Sequence, residues 1–105
     1  MGEPEEPLTR HTVTDLGDGG FVVALKGELD LSTTDDLRAA LEQTIASVTG
    51  TLVVDIARLR FADSSAIALW VSWSQSVPKL EIRNPPPMIL RVIQAMGLTE
   101  KLNPS

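Results

Sequence analysis

The chain has 105 residues, of which 43% are hydrophobic and 22% charged, with no cysteine and a net charge of −5. This length predicts one domain with a modest core, and the lack of cysteine excludes disulfides and thiolate metal sites. The acidic balance and the singly scattered basic residues argue against binding to nucleic acid or docking on an anionic membrane. The longest apolar run falls far short of the ~20 residues of a membrane span, so we expect a cytoplasmic protein without membrane insertion.

The N-terminal part of the chain predicts a β-hairpin. Residues 1–7 are acidic and contain two prolines, so they are expected to be disordered and to leave residues 8–105 as the domain. The polar, β-leaning residues 8–14 predict an edge strand. A turn cluster, Gly17–Gly20, separates them from Phe21–Leu25, which is apolar on both faces and predicts a central strand.

A first helix follows this hairpin. Ser32, with Asp35 three residues later, resembles a capping box, and it places Asp35 and Asp36 in the first turn, where the helix dipole favours negative charge. The helix is predicted to run to about Val48 and to stop before Gly50. One stripe at helical spacing predicts its buried face: Leu37, Leu41, Thr44, Ile45 and Val48.

Strands and helices alternate in the rest of the chain. Leu52–Ile56 and Leu80–Arg83 predict strands, a second helix is expected from about Ser65 to Ser76, and Pro85–Pro87 opens a third helix that Gly97 caps. The order ββαβαβα predicts an α/β domain with a mixed, mostly parallel four-stranded sheet and about three helices. The predicted apolar stripe of the third helix is Ile89, Val92, Ile93 and Met96.

The second helix carries two apolar stripes. One consists of Ile67, Trp70, Val71, Ser74 and Val77, and the other of Ala66, Leu69 and Trp73. A helix that packs only on a sheet needs a single stripe. The second stripe therefore predicts either burial by another element or an exposed patch for a partner, where tryptophan is common.

No constellation of catalytic groups can be assembled from the sequence. The single histidine, His11, lies on a weak edge strand and is expected to face solvent. There is no G-x-S-x-G elbow and no phosphate-binding glycine loop. The carboxylates Asp30, Asp35 and Asp36 are explained more simply by helix capping than by a metal site. We therefore expect a protein that is not an enzyme and uses no cofactor or metal.

Asp63-Ser64-Ser65 is the one local feature with the character of a switch, because it follows a buried strand and opens a helix. One interpretation is an ordinary N-cap, since Asp and Ser are preferred there. The other is a phosphoacceptor, because a helix N-terminus accommodates a phosphate and a strand-to-helix loop lies at the surface.

Several motifs, taken in order, resemble the STAS domain of bacterial anti-sigma factor antagonists. The similarity covers roughly residues 8–103 and depends on the joint order of short motifs. The motifs are Gly27-Glu28-Leu29-Asp30, the helix start at Ser32–Leu41, Val53-Val54-Asp55-Ile56, Phe61-Ala62-Asp63-Ser64-Ser65, Ile82-Arg83-Asn84-Pro85-Pro86 and Met96-Gly97-Leu98.

The resemblance implies a STAS domain that binds an anti-sigma factor of the serine kinase type and so frees a sigma factor. In this family the kinase phosphorylates the second serine of the motif, which is Ser65 here rather than Ser64, and a phosphatase reverses the reaction. The expected partner-binding residues are Asp30, Ser32, Asp63, Ser64, Ser65, Ala66, Leu69 and Trp73.

Three departures from the family pattern bear on this expectation. Ala66 replaces the family's glycine, and its methyl group is expected to obstruct the close approach of a kinase. The second helix is shorter than usual. The chain also stops at Ser105, where many relatives continue, so uncovered apolar surface is expected to favour a homodimer.

Three alternatives remain open from the sequence. The first is the cytoplasmic STAS subunit of a phospholipid-transport ABC complex. The second is an interaction scaffold of the same fold without a switch, and the third is an enzyme of unrecognised type.

Overall fold

The computed structural model describes residues 9–105 and confirms the predicted α/β fold with a mixed four-stranded sheet. The element order is ββαβαβαα, one short helix more than predicted, because four residues are too few to show helical periodicity. The predicted disordered segment 1–7 lies outside the described residues. The elements are β1 (Thr9–Asp15), β2 (Phe21–Leu29), α1 (Leu31–Ala46), β3 (Thr51–Ala62), α2 (Ser64–Ser76), β4 (Lys79–Arg83), α3 (Pro87–Ala95) and α4 (Thr99–Leu102).

The sheet has the order β1-β2-β3-β4, with β1 antiparallel to β2 and the other pairs parallel. The connections through α1 and α2 step across the sheet in the same direction, so right-handed crossovers place both helices on one face. On β2, Val23, Leu25 and Leu29 point to this face and are fully buried, whereas Lys26 points away and is exposed. Within residues 9–105, the opposite face has no helix packed over it.

Strand β3 is much longer than the predicted Leu52–Ile56. Its pairing with β2 contains two register shifts, between Ala24 and Lys26 and between Gly27 and Glu28. Each irregularity interrupts the alternation of buried and exposed side chains from which a strand is predicted, so the sequence pattern indicated a shorter strand. The extra length brings the ends of β2 and β3 to the same level, with Leu29 paired to Ala62.

Helix α2 is the centre of the core. Residues from both predicted stripes are buried: Ala66, Ile67, Leu69, Trp70 and Trp73. The helix packs against α1 and α4 in addition to β3 and β4. Of the two possibilities for the second stripe, the structure shows burial. The expectation that Ala66, Leu69 and Trp73 form an exposed partner-binding patch is wrong, because neighbouring elements cover them.

Helix α3 ends as predicted but is less buried than predicted. Gly97 has a φ of 69°. Its backbone N–H donates to the carbonyl of Gln94, and that of Leu98 donates to the carbonyl of Ile93, as in a Schellman-type end. Only Ile89 and Ile93 of the predicted stripe are buried. Val92 and Met96 are exposed, because no described element packs over that side of α3.

None of the helices in residues 9–105 is long and apolar enough to cross a membrane.

Replacing Trp73 with alanine tests whether this side chain is core. Trp73 is 4% exposed. Trp73→Ala should therefore lower the free energy of unfolding by about 3–5 kcal/mol. Phe61→Ala is the matched control, because Phe61 is 50% exposed. Its truncation should cost no more than about 0.5 kcal/mol. Chemical denaturation measures both values. Equal losses for the two variants would contradict the assignment of Trp73 to the core.

Candidate functional site

Two helices begin side by side at the carboxyl edge of the parallel strands. Asp30 follows β2 directly and starts α1, and Asp63 follows β3 directly and starts α2. The pairing of Leu29 with Ala62 holds these two aspartates at the same level, and the Asp63 backbone N–H donates to the Leu29 carbonyl at 3.1 Å. The carboxyl edge is where open α/β sheets present their functional groups.

Asp30 caps helix α1. Its carboxylate accepts hydrogen bonds from the backbone N–H groups of Ser32 and Thr33, both at 3.0 Å, and from the Ser32 hydroxyl at 2.7 Å. Thr33 Oγ1 accepts from the Asp30 backbone N–H at 2.9 Å, which completes a capping box. The predicted box of Ser32 and Asp35 is therefore wrong by two residues, because Asp30 already fills the capping position.

This correction moves Asp35 and Asp36 out of the first turn. Both are exposed and lie in the second turn of α1, where the helix dipole has little effect. The capping interpretation stands for Asp30 and does not explain the other two carboxylates.

Asp63 caps helix α2 and holds Ser65. The Asp63 carboxylate accepts from the Ser65 backbone N–H at 2.9 Å and also from the Ser65 hydroxyl. Ser65 Oγ lies 3.0 Å from Thr34 Oγ1 of α1, and the Thr34 hydroxyl contacts the Asp30 carbonyl. A continuous set of hydrogen bonds, the serine bridge (Asp63, Ser65, Thr34 and Asp30), therefore joins the starts of the two helices.

The serine bridge has fewer hydroxyl protons than hydrogen-bond contacts. Ser65 and Thr34 each have one proton, while three contacts need a donor. The Asp63 carboxylate is the strongest acceptor for the Ser65 proton, because a hydrogen bond to an ionised group is the stronger kind. The Thr34 proton is then shared between Ser65 Oγ and the Asp30 carbonyl. Removal of the Ser65 proton therefore breaks the hydrogen bond from Ser65 to Asp63, while the Thr34 hydroxyl can still donate to Ser65 Oγ or to the Asp30 carbonyl.

The structure brings together five of the expected site residues, Asp30, Ser32, Asp63, Ser64 and Ser65. Ser32 and Ser64 are exposed, and Ser65 is half-buried, so its hydroxyl is held by the protein yet lies near the surface.

The other three expected site residues, Ala66, Leu69 and Trp73, lie behind this edge in the core. Ala66 is 0% exposed. Its methyl group therefore does not stand in the path of an approaching kinase, contrary to expectation.

Three residues of this edge were missed by sequence reasoning: Leu31, Thr34 and Phe61. Leu31 is 71% exposed at the first position of α1, and Phe61 is exposed two residues before Asp63. These large apolar side chains flank the two caps, as side chains that contact a partner do. Thr34 is buried and carries the bridge to Ser65. The spacing of Asp30 and Thr33 was a usable signal for the capping box, but nothing in the sequence indicated that Phe61 is exposed.

The chemistry available at this edge is the modification or burial of a hydroxyl. His11 of β1 pairs with Leu25, four residues before β2 ends at Leu29, so it does not lie at the edge that carries Ser65. Within residues 9–105 no group of three histidine, aspartate or glutamate side chains is arranged to hold a metal ion. Glu28 and Arg60 form a nearby ion pair at 3.8 Å between exposed side chains. Such a pair adds little stability.

The cap of α1 should make stability depend on pH. The hydrogen bond from the Ser32 side chain, followed by that from the Thr33 backbone, holds the pKa of Asp30 below its ordinary value of 3.8. The stabilisation is therefore complete above that value and is lost as the pH falls through the lower pKa of the folded state. Asp30→Asn should be less stable than the wild type near pH 7, with a difference that shrinks below about pH 4.

Urea denaturation between about pH 2 and pH 7 measures this difference. Asp35→Asn is the control, because it removes an exposed carboxylate from the second turn of the same helix. A difference between Asp30→Asn and the wild type that stays constant with pH would show that the charge of Asp30 does not contribute.

Comparisons with known proteins agree on the fold. The family model described as "Mlab, STAS domain" matches residues 12–104. An anti-sigma factor antagonist from Mycobacterium paratuberculosis is 23% identical, covering 91% of this chain and 84% of that one, with a TM-score of 0.81. SpoIIAA, another anti-sigma factor antagonist, is 24% identical in its unphosphorylated form, covering 91% of this chain and 88% of that one, with a TM-score of 0.77.

A third similar structure comes from a different assembly. A chain of the Acinetobacter MlaFEDB complex, in its ATP-bound form, is 27% identical, covering 84% of this chain and 95% of that one, with a TM-score of 0.65. No curated protein sequence matches. Because the family model spans most of the chain and the serine bridge lies at the edge that the motifs marked, the chain belongs to the STAS domain family.

Proposed function

We propose that this protein is a non-catalytic regulator that binds an anti-sigma factor of the serine kinase type, and that phosphorylation of Ser65 switches this binding off. A phosphatase would restore the binding-competent form. Two of the structural relatives are anti-sigma factor antagonists, which supports the choice of partner. The observation that carries the proposal is the position of Ser65, whose half-buried hydroxyl joins two helix starts at the surface.

The proposed docking surface is the edge formed by the two helix starts. Leu31 and Phe61 supply exposed apolar area, and Ser32 and Ser64 supply exposed hydroxyls. Such a combination of apolar anchors with polar groups is typical of a protein interface. The caps at Asp30 and Asp63 satisfy helix N–H groups, so the backbone of this edge is held in place before a partner arrives.

Phosphorylation of Ser65 would change this surface locally. The phosphate adds about −1.5 to −2 charges, and it replaces the hydroxyl proton that Ser65 donates to Asp63. Repulsion from the Asp63 carboxylate would turn the group towards solvent, where a docked partner would have to desolvate it. A cost of ~3 kcal/mol would weaken binding about a hundredfold. The fold would persist, because the core lies behind this edge.

Affinity capture with charge variants tests the switch. The wild type, Ser65→Ala, Ser65→Asp and Ser64→Asp are used as bait in a lysate of the native cell, and captured proteins are identified by mass spectrometry. The wild type and Ser65→Ala should capture a kinase-like anti-sigma factor, while Ser65→Asp should bind it about a hundredfold more weakly. Ser64→Asp is the comparison variant on the same docking surface. It adds the same charge to an exposed side chain that can turn towards solvent, so it should weaken binding much less than Ser65→Asp does.

Two results would contradict the proposal. Equal affinity of the wild type and Ser65→Asp for the purified anti-sigma factor would remove the switch and leave an interaction scaffold. Equal weakening by Ser64→Asp and Ser65→Asp would show a general effect of charge rather than a role for Ser65.

A second candidate is the STAS subunit of a phospholipid-transport ABC complex. The description of the family model and the 27% identity to a chain of the MlaFEDB complex favour it. In that role the same edge would dock on a transporter and need no phosphorylation. Capture of a permease and an ATPase, retained by Ser65→Asp, would select this candidate over the first.

A further inference from the structure

The uncovered face of the sheet gathers basic side chains that are scattered in the sequence. Strand pairing places five of the nine lysines and arginines there, against three carboxylates, in a chain whose net charge is −5. This face is thus basic on an acidic protein, and it attracts anions. The basic residues are Arg10, Lys26, Arg58, Lys79 and Arg83, and the acidic ones are Glu28, Asp55 and Glu81.

Three of these cations form a row across neighbouring strands. Arg10 of β1 pairs with Lys26 of β2, and Lys26 pairs with Arg58 of β3. All three residues are exposed. Like charges directly opposite one another destabilise a sheet, so the pairing of Lys26 with Arg58 is unfavourable for folding alone. An anion bound across the row would offset this repulsion.

A cavity of about 410 Å³ lies beside the cation row. The side chains of Ala24 and Ala57 give it an apolar floor, and the three cations also line it. Asp55 also lines the cavity, where its carboxylate accepts a hydrogen bond from the Ala57 backbone at 3.0 Å. The volume is in the range of small-molecule sites and is too small for a folded partner.

We propose that the cation row and this cavity bind a small organic phosphate that carries hydroxyl groups. Arg10, Lys26 and Arg58 would hold the phosphate, since guanidinium and ammonium groups are its usual ligands. Asp55 would accept a hydrogen bond from a ligand hydroxyl, and the apolar floor would contact the carbon skeleton. This site is separate from the serine bridge, and it does not depend on the identity of the protein partner.

Titration with ribose 5-phosphate, followed by 15N–1H NMR, tests the site. Amide shifts should change at Ala24, Lys26 and Ala57, and ribose without the phosphate should leave them unchanged. Lys26→Gln and Arg58→Gln should each weaken binding about tenfold or more. Arg38→Gln should bind as the wild type does, because it removes the same charge from an exposed position on α1.

Thermal unfolding without ligand separates a binding defect from a folding defect. The melting temperature of Lys26→Gln should equal or exceed that of the wild type, because the variant relieves repulsion in the row. Equal affinity in all variants, equal weakening by Arg38→Gln, or shifts confined to another part of the molecule would each overturn the proposal.

Discussion

The hydroxyl of Ser65 is the group on which the function proposed for this protein depends. It lies between the carboxylate that caps its own helix and a buried threonine of the neighbouring helix. Because Ser65 Oγ contacts both the Asp63 carboxylate and the Thr34 hydroxyl, chemistry at this oxygen alters one contact on each helix while the backbone caps stay in place. Ser65 follows an exposed serine, Ser64, contacts the fixed carboxylate of Asp63 and links α2 to α1. These are the features that a local charge switch needs.

The two faces of the sheet differ in what covers them and in their charge. One face holds the helices and the core, so the buried side chains of Ala66, Leu69 and Trp73 stabilise the edge that carries Ser65 from behind. The other face carries no described helix and collects positive charge. In the two proposals, the edge would bind a protein and the open face would bind a small anion, so a change at one site would leave the other in place.

The sequence predicted the fold well because the signals were local. Hydrophobic runs, turn glycines and the Gly97 cap identify elements without knowledge of their neighbours. The length of β3 could not be predicted from the sequence. The register shifts in its pairing with β2 interrupt the two-residue period that is typical of a strand. The first capping box was misplaced because Asp30 and Ser32 are both good capping residues.

The candidate site was predicted only in part, because sequence signals are local and some contacts of the site are not. Asp30, Asp63 and Ser65 were found because caps are local in sequence, and motif order supported them. The bridge from Ser65 to Thr34 joins residues 31 positions apart, and the cation row joins three strands, so neither has a local signal. The exposure of Val92 and Met96 likewise depends on what covers α3 and not on its own periodicity.

A double-mutant cycle between Thr34 and Ser65 measures whether the Ser65 hydroxyl links the two helix starts. Thr34→Val and Ser65→Ala, alone and together, are compared with the wild type by urea denaturation. We expect a coupling energy of about 1 kcal/mol between the two side chains, because each variant removes one end of the same contact. Additive effects, with coupling near zero, would contradict the claim that the Ser65 hydroxyl joins the two helix starts.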